Sequence, residues 1–84
     1  MSPKHRKTLE AIYANPVRAN VPWRDIENLL LSLGAEISEG RGSRVRIALK
    51  GIRAVFHRPH PRPETGKGAL VSMRRFLSEA GVKP

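Results

Sequence analysis

The stretch RVRIALKGIRAVFH, residues 44–57, decides the fold of this chain. Apolar and polar side chains alternate along both of its halves, which is the period of a β-strand with one buried face. Lys50-Gly51 lies between the halves and fits a two-residue hairpin turn, with glycine at a position of positive φ. The stretch therefore predicts two antiparallel strands joined by a tight turn.

The two-residue turn also fixes the register of the two strands. The pairs on the apolar face are Leu49 with Ile52, Ile47 with Ala54, and Val45 with Phe56. The pairs on the opposite face are Arg44 with His57, Arg46 with Val55, and Ala48 with Arg53. We therefore expect one face in the core and one cationic face with an imidazole at its edge. A slip of one residue would exchange the two faces.

Apolar residues recur at helical spacing on both sides of the hairpin. Ser2-Pro3 begins a first short helix, and Asn15-Pro16 ends it. An apolar stripe from Trp23 to Leu33 predicts a second helix that Gly34 ends. A third stripe, from Leu70 to Ala80, includes Met73. We expect Trp23 and Met73 to lie in the core.

A shorter strand around Ala35–Glu39 precedes the hairpin and completes a three-stranded meander. The segments Pro16–Pro22 and Arg58–Lys67 are interpreted as a connector and an extended loop, because both are rich in proline. Helices before and after a sheet with one apolar face indicate an α+β fold of two packed layers. A length of 84 residues leaves room for one domain and argues against a large enzyme with a deep pocket.

The charge of the chain indicates a polyanionic partner. Sixteen Lys and Arg residues against seven Asp and Glu residues give a net charge of +9. Nucleic acid is the leading candidate, ahead of an acidic membrane face or an acidic protein. The chain lacks an apolar stretch of roughly 20 residues and a signal peptide, so we expect a cytoplasmic protein without membrane contact. The absence of cysteine excludes disulfides, zinc ribbons and thiol chemistry.

His57 is the leading candidate for proton transfer. An imidazole has a reference pKa near 6.5 and can take a proton from a ribose 2′-hydroxyl, while a guanidinium neutralises the charge on the phosphate. His60 lies further along, where it could contact RNA or join the site. The alternative for His57 is a solvated side chain that only adds to a basic surface. A zinc site from His57 and His60 lacks a third ligand, so we expect neither metal nor cofactor.

The candidate RNA-binding residues are mostly arginines of one segment, and guanidinium groups suit phosphate. They are Arg41, Ser43, Arg44, Arg46, Arg53, Arg58 and Lys67. Like charges side by side across strands destabilise a sheet unless an anion neutralises them. The alternative is a solvated sheet face and, for Lys67 between two glycines, a plain start of a helix. At least three of the four aromatic residues are expected in the core, so base-stacking platforms are missing.

Five short features resemble the HicA family of toxins from bacterial type II toxin–antitoxin pairs. In chain order they are Gly34, Gly42-Ser43, Lys50-Gly51, His60-Pro61 and Gly68. The resemblance covers roughly Pro22 to Val82 and implies a fold like the double-stranded-RNA-binding domain, α-β-β-β-α. Residues 1–21 would then be an N-terminal helical extension, and residues 22–84 the HicA-like domain. The resemblance also implies a metal-independent ribonuclease, an mRNA interferase that arrests growth, and a HicB antitoxin that covers the active site.

The chain departs from the family pattern at one place. The catalytic histidine of the family follows the Gly-Ser step by one or two positions, which are Arg44 and Val45 here. Because the predicted register places His57 opposite Arg44, we interpret His57 as the general base. Arg44 and Arg46 would hold the phosphate, and His60 would be the general acid or a reserve base. The alternatives are a catalytically silent module that binds nucleic acid or an antitoxin, and a small basic protein with a structural role in an acidic complex.

Overall fold

Three helices and two antiparallel sheets form the protein, in a computed structural model that describes residues 1–84. In chain order the elements are α1 (Pro3–Ile12), β1 (Val21–Pro22), α2 (Trp23–Ser32), β2 (Glu36–Glu39), β3 (Arg44–Leu49), β4 (Ile52–His57), β5 (Glu64–Thr65) and α3 (Lys67–Glu79). The α-β-β-β-α order from α2 to α3, preceded by an additional helix, confirms the predicted α+β architecture.

The main sheet has the strand order β2-β3-β4, and its register is the predicted one. Leu49 pairs with Ile52 at the turn, and Arg44 pairs with His57 at the far end. Both turn residues have positive φ, 50° at Lys50 and 81° at Gly51. This is the backbone of a type I′ turn, whose twist matches that of the two strands. The turn therefore holds the register on which the two faces of the sheet depend.

The core lies between the inner face of this sheet and helices α2 and α3. Val45, Ile47 and Leu49 of β3 are almost completely buried. Phe56 of β4 lies between two other aromatic rings, with centroid distances of 6.1 Å to Trp23 and 5.9 Å to Phe76. Trp23 and Met73 are buried, as predicted. Because the inner face packs against the helices, the other face of the sheet is exposed to solvent.

Helix α1 belongs to the same core. Its residues Leu9 and Ile12 are buried against α2 and α3. Arg74 of α3 donates hydrogen bonds to the carbonyl oxygens of Ile12, at 3.0 Å, and Ala14, at 2.8 Å. Tyr13 donates to the carbonyl of Val82 at 2.7 Å, and burial raises the pKa of its phenol. These bonds fix the end of α1 to α3.

The two-stranded sheet β1–β5 is absent from the sequence-based prediction, which assigned a connector and an extended loop here. Val21 pairs with Thr65 and Pro22 with Glu64, and the Trp23 amide donates to the Pro63 carbonyl at 3.0 Å. A strand of two residues has no alternation to detect, and nearby prolines mask it. None of the three helices is long and apolar enough to span a bilayer.

Candidate functional site

The main sheet presents one side to solvent, away from the helices, and we call this side the outer face. Strand alternation and cross-strand pairing assign its residues. They are Glu36, Ser38, Arg44, Arg46, Ala48, Arg53, Val55 and His57. All of these residues are exposed except Ala48, which is partly buried. The outer face therefore offers three guanidinium groups and one imidazole to a ligand.

Arg44 and His57 form the centre of the candidate site. They are direct cross-strand partners at the open end of the hairpin, where facing Cβ atoms lie about 4.5–5.5 Å apart. Arg46 follows Arg44 on the same face, one row further along the sheet. None of the three arginines of the outer face forms a salt bridge. Their charges are thus free to act on an anion beside the imidazole.

Ser43 lies beside the imidazole of His57. The turn between β2 and β3 has Gly42 at φ 60°, and it brings Ser43 Oγ to 3.5 Å from His57 Nδ1. The backbone carbonyl of Ser43 accepts a hydrogen bond from the Arg58 amide at 2.9 Å. Ser43 is therefore placed to orient the ring, and the contact at Nδ1 leaves Nε2 free for a substrate.

Arg58 does not lie on the outer face, although the sequence groups it with the candidate RNA-binding arginines. Its Nε atom donates to Glu27 Oε2 of α2 at 2.9 Å, and its Nη1 atom donates to Glu39 Oε1 of β2 at 2.5 Å. Trp23 Nε1 also donates to Glu27 Oε2, at 2.5 Å. We expected the Arg58 guanidinium to bind phosphate, but it is hydrogen-bonded to the carboxylates of Glu27 and Glu39.

The ion pairs of Arg58 also change its own pKa and that of Glu39. The hydrogen bond from Arg58 lowers the pKa of the Glu39 carboxyl. The hydrogen bonds to Glu39 and Glu27, in that order of importance, raise the pKa of the Arg58 guanidinium. Both shifts favour the charged pair. Arg58 therefore stabilises the junction of α2, β2 and the end of β4.

The other predicted site residues lie around the sheet and form no hydrogen bond with His57. Arg41 is exposed in the β2–β3 turn, His60 is exposed on the loop after β4, and Lys67 begins α3. No hydrogen bond joins His60 to His57, whose one side-chain partner is Ser43. No group of three or more His, Asp or Glu side chains is placed to hold a metal ion. The fold thus unites Ser43, Arg44 and His57, with Arg46 and Arg53 on the same face.

The outer face also carries a groove that the sequence analysis missed. Its volume is about 520 Å³, and Glu36, Arg46, Ala48, Arg53 and Val55 contribute to its lining. The sequence signal that could have indicated this groove is the alternation of side chains in β2, which places Glu36 on the same face as Ala48. The alternation in β2 spans only four residues, and the sequence-based prediction assigned faces to the hairpin strands alone.

The comparison with protein families shows to which family the chain belongs. The model of the family described as the HicA toxin of bacterial toxin–antitoxin pairs matches residues 23–82. The chain belongs to the HicA toxin family. Within this HicA chain the match runs from the first residue of α2 to just beyond α3, so it includes the whole outer face. Comparisons with curated proteins and with solved structures gave no significant match. Membership makes this HicA protein the toxin of a toxin–antitoxin system.

Proposed function

We propose that this HicA protein is a metal-independent endoribonuclease that cleaves messenger RNA in the cytoplasm and so arrests growth. The observation that carries the proposal is the cross-strand pair of Arg44 and His57 on the outer face. It supplies an imidazole and an unpaired guanidinium from neighbouring strands. In cleavage of RNA through its own 2′-hydroxyl, an imidazole can act as the general base and a guanidinium can neutralise the charge on the phosphate.

In the proposed reaction, His57 Nε2 takes the proton of a ribose 2′-hydroxyl. The freed O2′ attacks the adjacent phosphorus, and the bond from phosphorus to the 5′-oxygen of the next nucleotide breaks. Arg44 and Arg46 contact the other phosphate oxygens and neutralise the negative charge that grows on them. His60 or a water molecule supplies the proton to the leaving 5′-oxygen. The products carry a 2′,3′-cyclic phosphate and a 5′-hydroxyl.

The remaining cations of the site extend the RNA path. Arg53 lies on the outer face, Arg41 lies in the turn next to Ser43, and Lys67 begins α3. Each phosphate that Arg41 or Lys67 neutralises adds a salt-dependent contribution to affinity that is independent of sequence. Control requires a HicB-like antitoxin that covers His57, and acidic groups on that partner would complement the arginines of the outer face.

A second candidate function is a catalytically silent RNA-binding module that pairs with an antitoxin. It is favoured by the residues after Gly42-Ser43. They are Arg44 and Val45, where the family pattern has its catalytic histidine. The two functions differ in one observable. A ribonuclease consumes RNA with turnover, whereas a binding module only retards its migration.

The test incubates the purified chain with a long messenger RNA in excess EDTA. Parallel reactions use His57→Ala and His60→Ala variants, with His5→Ala on α1 as the control for loss of a histidine. We expect the parent and the control to produce ends with 2′,3′-cyclic phosphate. We expect the His57→Ala variant to be slower by about 100-fold or more.

Three results would contradict the proposal. Intact RNA that is shifted on a gel by the parent would identify the silent binding module. Equal cleavage by the parent and the His57→Ala variant would show that another group is the base. Loss of cleavage in EDTA that added Mg²⁺ restores would contradict metal independence.

A further inference from the structure

The groove on the outer face contains groups that binding of phosphate does not explain. Glu36 is the one carboxylate of the outer face, and it is exposed without a salt bridge. Val55 keeps 58% of its surface exposed. A carboxylate repels phosphate, and a valine offers it nothing. A nucleic-acid base, which has hydrogen-bond donors at its edge and an apolar face, complements both side chains.

The pairing of the strands places Glu36, Ala48 and Arg53 in one row across the sheet. Glu36 is the cross-strand partner of Ala48, and Ala48 is the partner of Arg53. Neighbouring strands lie about 4.8 Å apart, so Glu36 and Arg53 begin about 10 Å from each other. They form no ion pair with each other. The methyl group of Ala48 leaves an open floor between a carboxylate and a guanidinium.

A guanine base matches this row. Its Watson–Crick edge has two adjacent donors, N1–H and the N2 amino group, which suit the two oxygens of one carboxylate. Its O6 and N7 atoms are adjacent acceptors, and an arginine fork reads this pair more often than any other base feature. Adenine and cytosine place an acceptor beside their amino group, and that acceptor would face the carboxylate. Uracil has a single donor between two carbonyl groups.

We propose that the groove is a guanine-binding subsite, in which Glu36 accepts hydrogen bonds from N1–H and N2–H and Arg53 donates to O6 and N7. Ala48 forms the floor, and Val55 contacts the flat face of the base. This inference rests on the proposed function, because it treats the outer face as an RNA surface, and it adds a base preference to that function.

The subsite lies at a distance from the proposed general base. The Ala48–Arg53 row is four residues along β4 from His57, about 13 Å in an extended strand. The guanine therefore belongs to a neighbouring nucleotide, not to the one that is cut. Arg46, in the row between, is placed to contact the phosphate that joins them. Cleavage sites would then lie at a fixed offset from a guanine.

Binding can be tested separately from cleavage by using His57→Ala as the background. The probes are hexanucleotides identical except for one central base, which is guanine, inosine without the N2 amino group, or adenine. We expect the guanine probe to bind about tenfold more tightly than the adenine probe. Adding Glu36→Gln should remove the preference for guanine over inosine. Adding Glu10→Gln, the same charge change on α1, should keep it.

The outcomes separate this inference from the proposed function. Equal affinity for the three probes, with RNA still cleaved by the parent, overturns the subsite and leaves the ribonuclease. A guanine preference without cleavage by the parent keeps the subsite and overturns the ribonuclease. A guanine preference that survives Glu36→Gln overturns the assignment of Glu36. Absence of affinity for every probe, with RNA also left intact by the parent, overturns both proposals.

Discussion

The arginines of the outer face and those on the helical side of the sheet differ in their partners. Arg44, Arg46 and Arg53 project from β3 and β4 without a salt bridge. Arg58 and Arg74 instead donate to carboxylates and carbonyls that hold elements of the fold together. Arg58 follows His57 directly in the chain, yet it contacts α2. The alternation of a strand, more than proximity in sequence, places an arginine on the outer face or among the contacts of the fold.

The two groups of arginines also differ in their effect on the stability of the free protein. Unpaired like charges on one face cost stability in the free protein, and a bound polyanion removes that cost. Partly buried cations with hydrogen-bonded partners instead stabilise the free protein. Substitutions on the outer face should therefore change RNA binding and cleavage. Substitutions among the fold-forming contacts should change the free energy of unfolding.

The largest effect on the fold is expected at α1. Ile12→Ala removes a completely buried side chain, and such a change costs about 3 kcal/mol of unfolding free energy. Urea denaturation measures this loss. Lys7→Ala, an exposed position on the same helix, is the control and should stay within about 0.5 kcal/mol of the parent. Equal stability of the Ile12 variant and the parent would mean that α1 does not contribute to the core.

A smaller loss of stability is expected at the end of α1. Arg74→Gln deprives the Ile12 and Ala14 carbonyls of their shared donor, which costs about 2 kcal/mol. Arg75→Gln removes the same charge from the neighbouring exposed position and is the matched control. Thermal unfolding distinguishes the two variants. A similar decrease in Tm for both variants would mean that the lost positive charge, and not the two hydrogen bonds, causes the loss of stability.

The pair of Glu39 and Arg58 predicts a dependence of stability on pH. Folding lowers the pKa of Glu39, so the folded chain binds fewer protons there than the unfolded chain. The stabilisation is complete above the unfolded pKa, near 4.3, and is lost as the pH falls through the lower folded value. Glu39→Gln should therefore reduce Tm at pH 7 and have less effect at pH 3. An equal reduction at both pH values would exclude the ion pair as the cause.

The smallest effect is expected at Ser43. Its hydroxyl contacts His57 Nδ1 at 3.5 Å, and Ser43→Ala removes this contact without removing a cation. We expect kcat for RNA cleavage to fall several-fold with KM unchanged, because a positioning contact is lost and a phosphate contact is not. Ser43→Thr keeps the hydroxyl and should restore much of the rate. An increase in KM with kcat unchanged would indicate that Ser43 binds RNA and does not position His57.

Much of the fold could be predicted because a few local signals agree. Alternation along residues 44–57 and the Lys50-Gly51 turn were sufficient for the register, and the register placed His57 beside Arg44. The pair β1–β5 could not be predicted in the same way, since two residues carry no period and the pairing joins segments that are distant in sequence.

The candidate site was harder to predict than the fold. Arg58 was grouped with its neighbours in sequence, although the period of two already placed it on the side of Phe56. Its partners Glu27 and Glu39 come from other elements, and no local pattern identifies them. The groove with Glu36 requires three strands side by side. Contacts between distant elements are thus the part that local sequence patterns do not contain.

The most direct test of this division compares Arg46→Gln with Arg58→Gln. Both variants remove one positive charge, and each is measured for unfolding free energy and for RNA affinity across a series of salt concentrations. We predict that Arg46→Gln lowers the salt slope by about one without lowering the free energy of unfolding, whereas Arg58→Gln lowers the free energy of unfolding and keeps the slope. A reduced slope for Arg58→Gln with unchanged stability, or an unchanged slope for Arg46→Gln, would contradict the account.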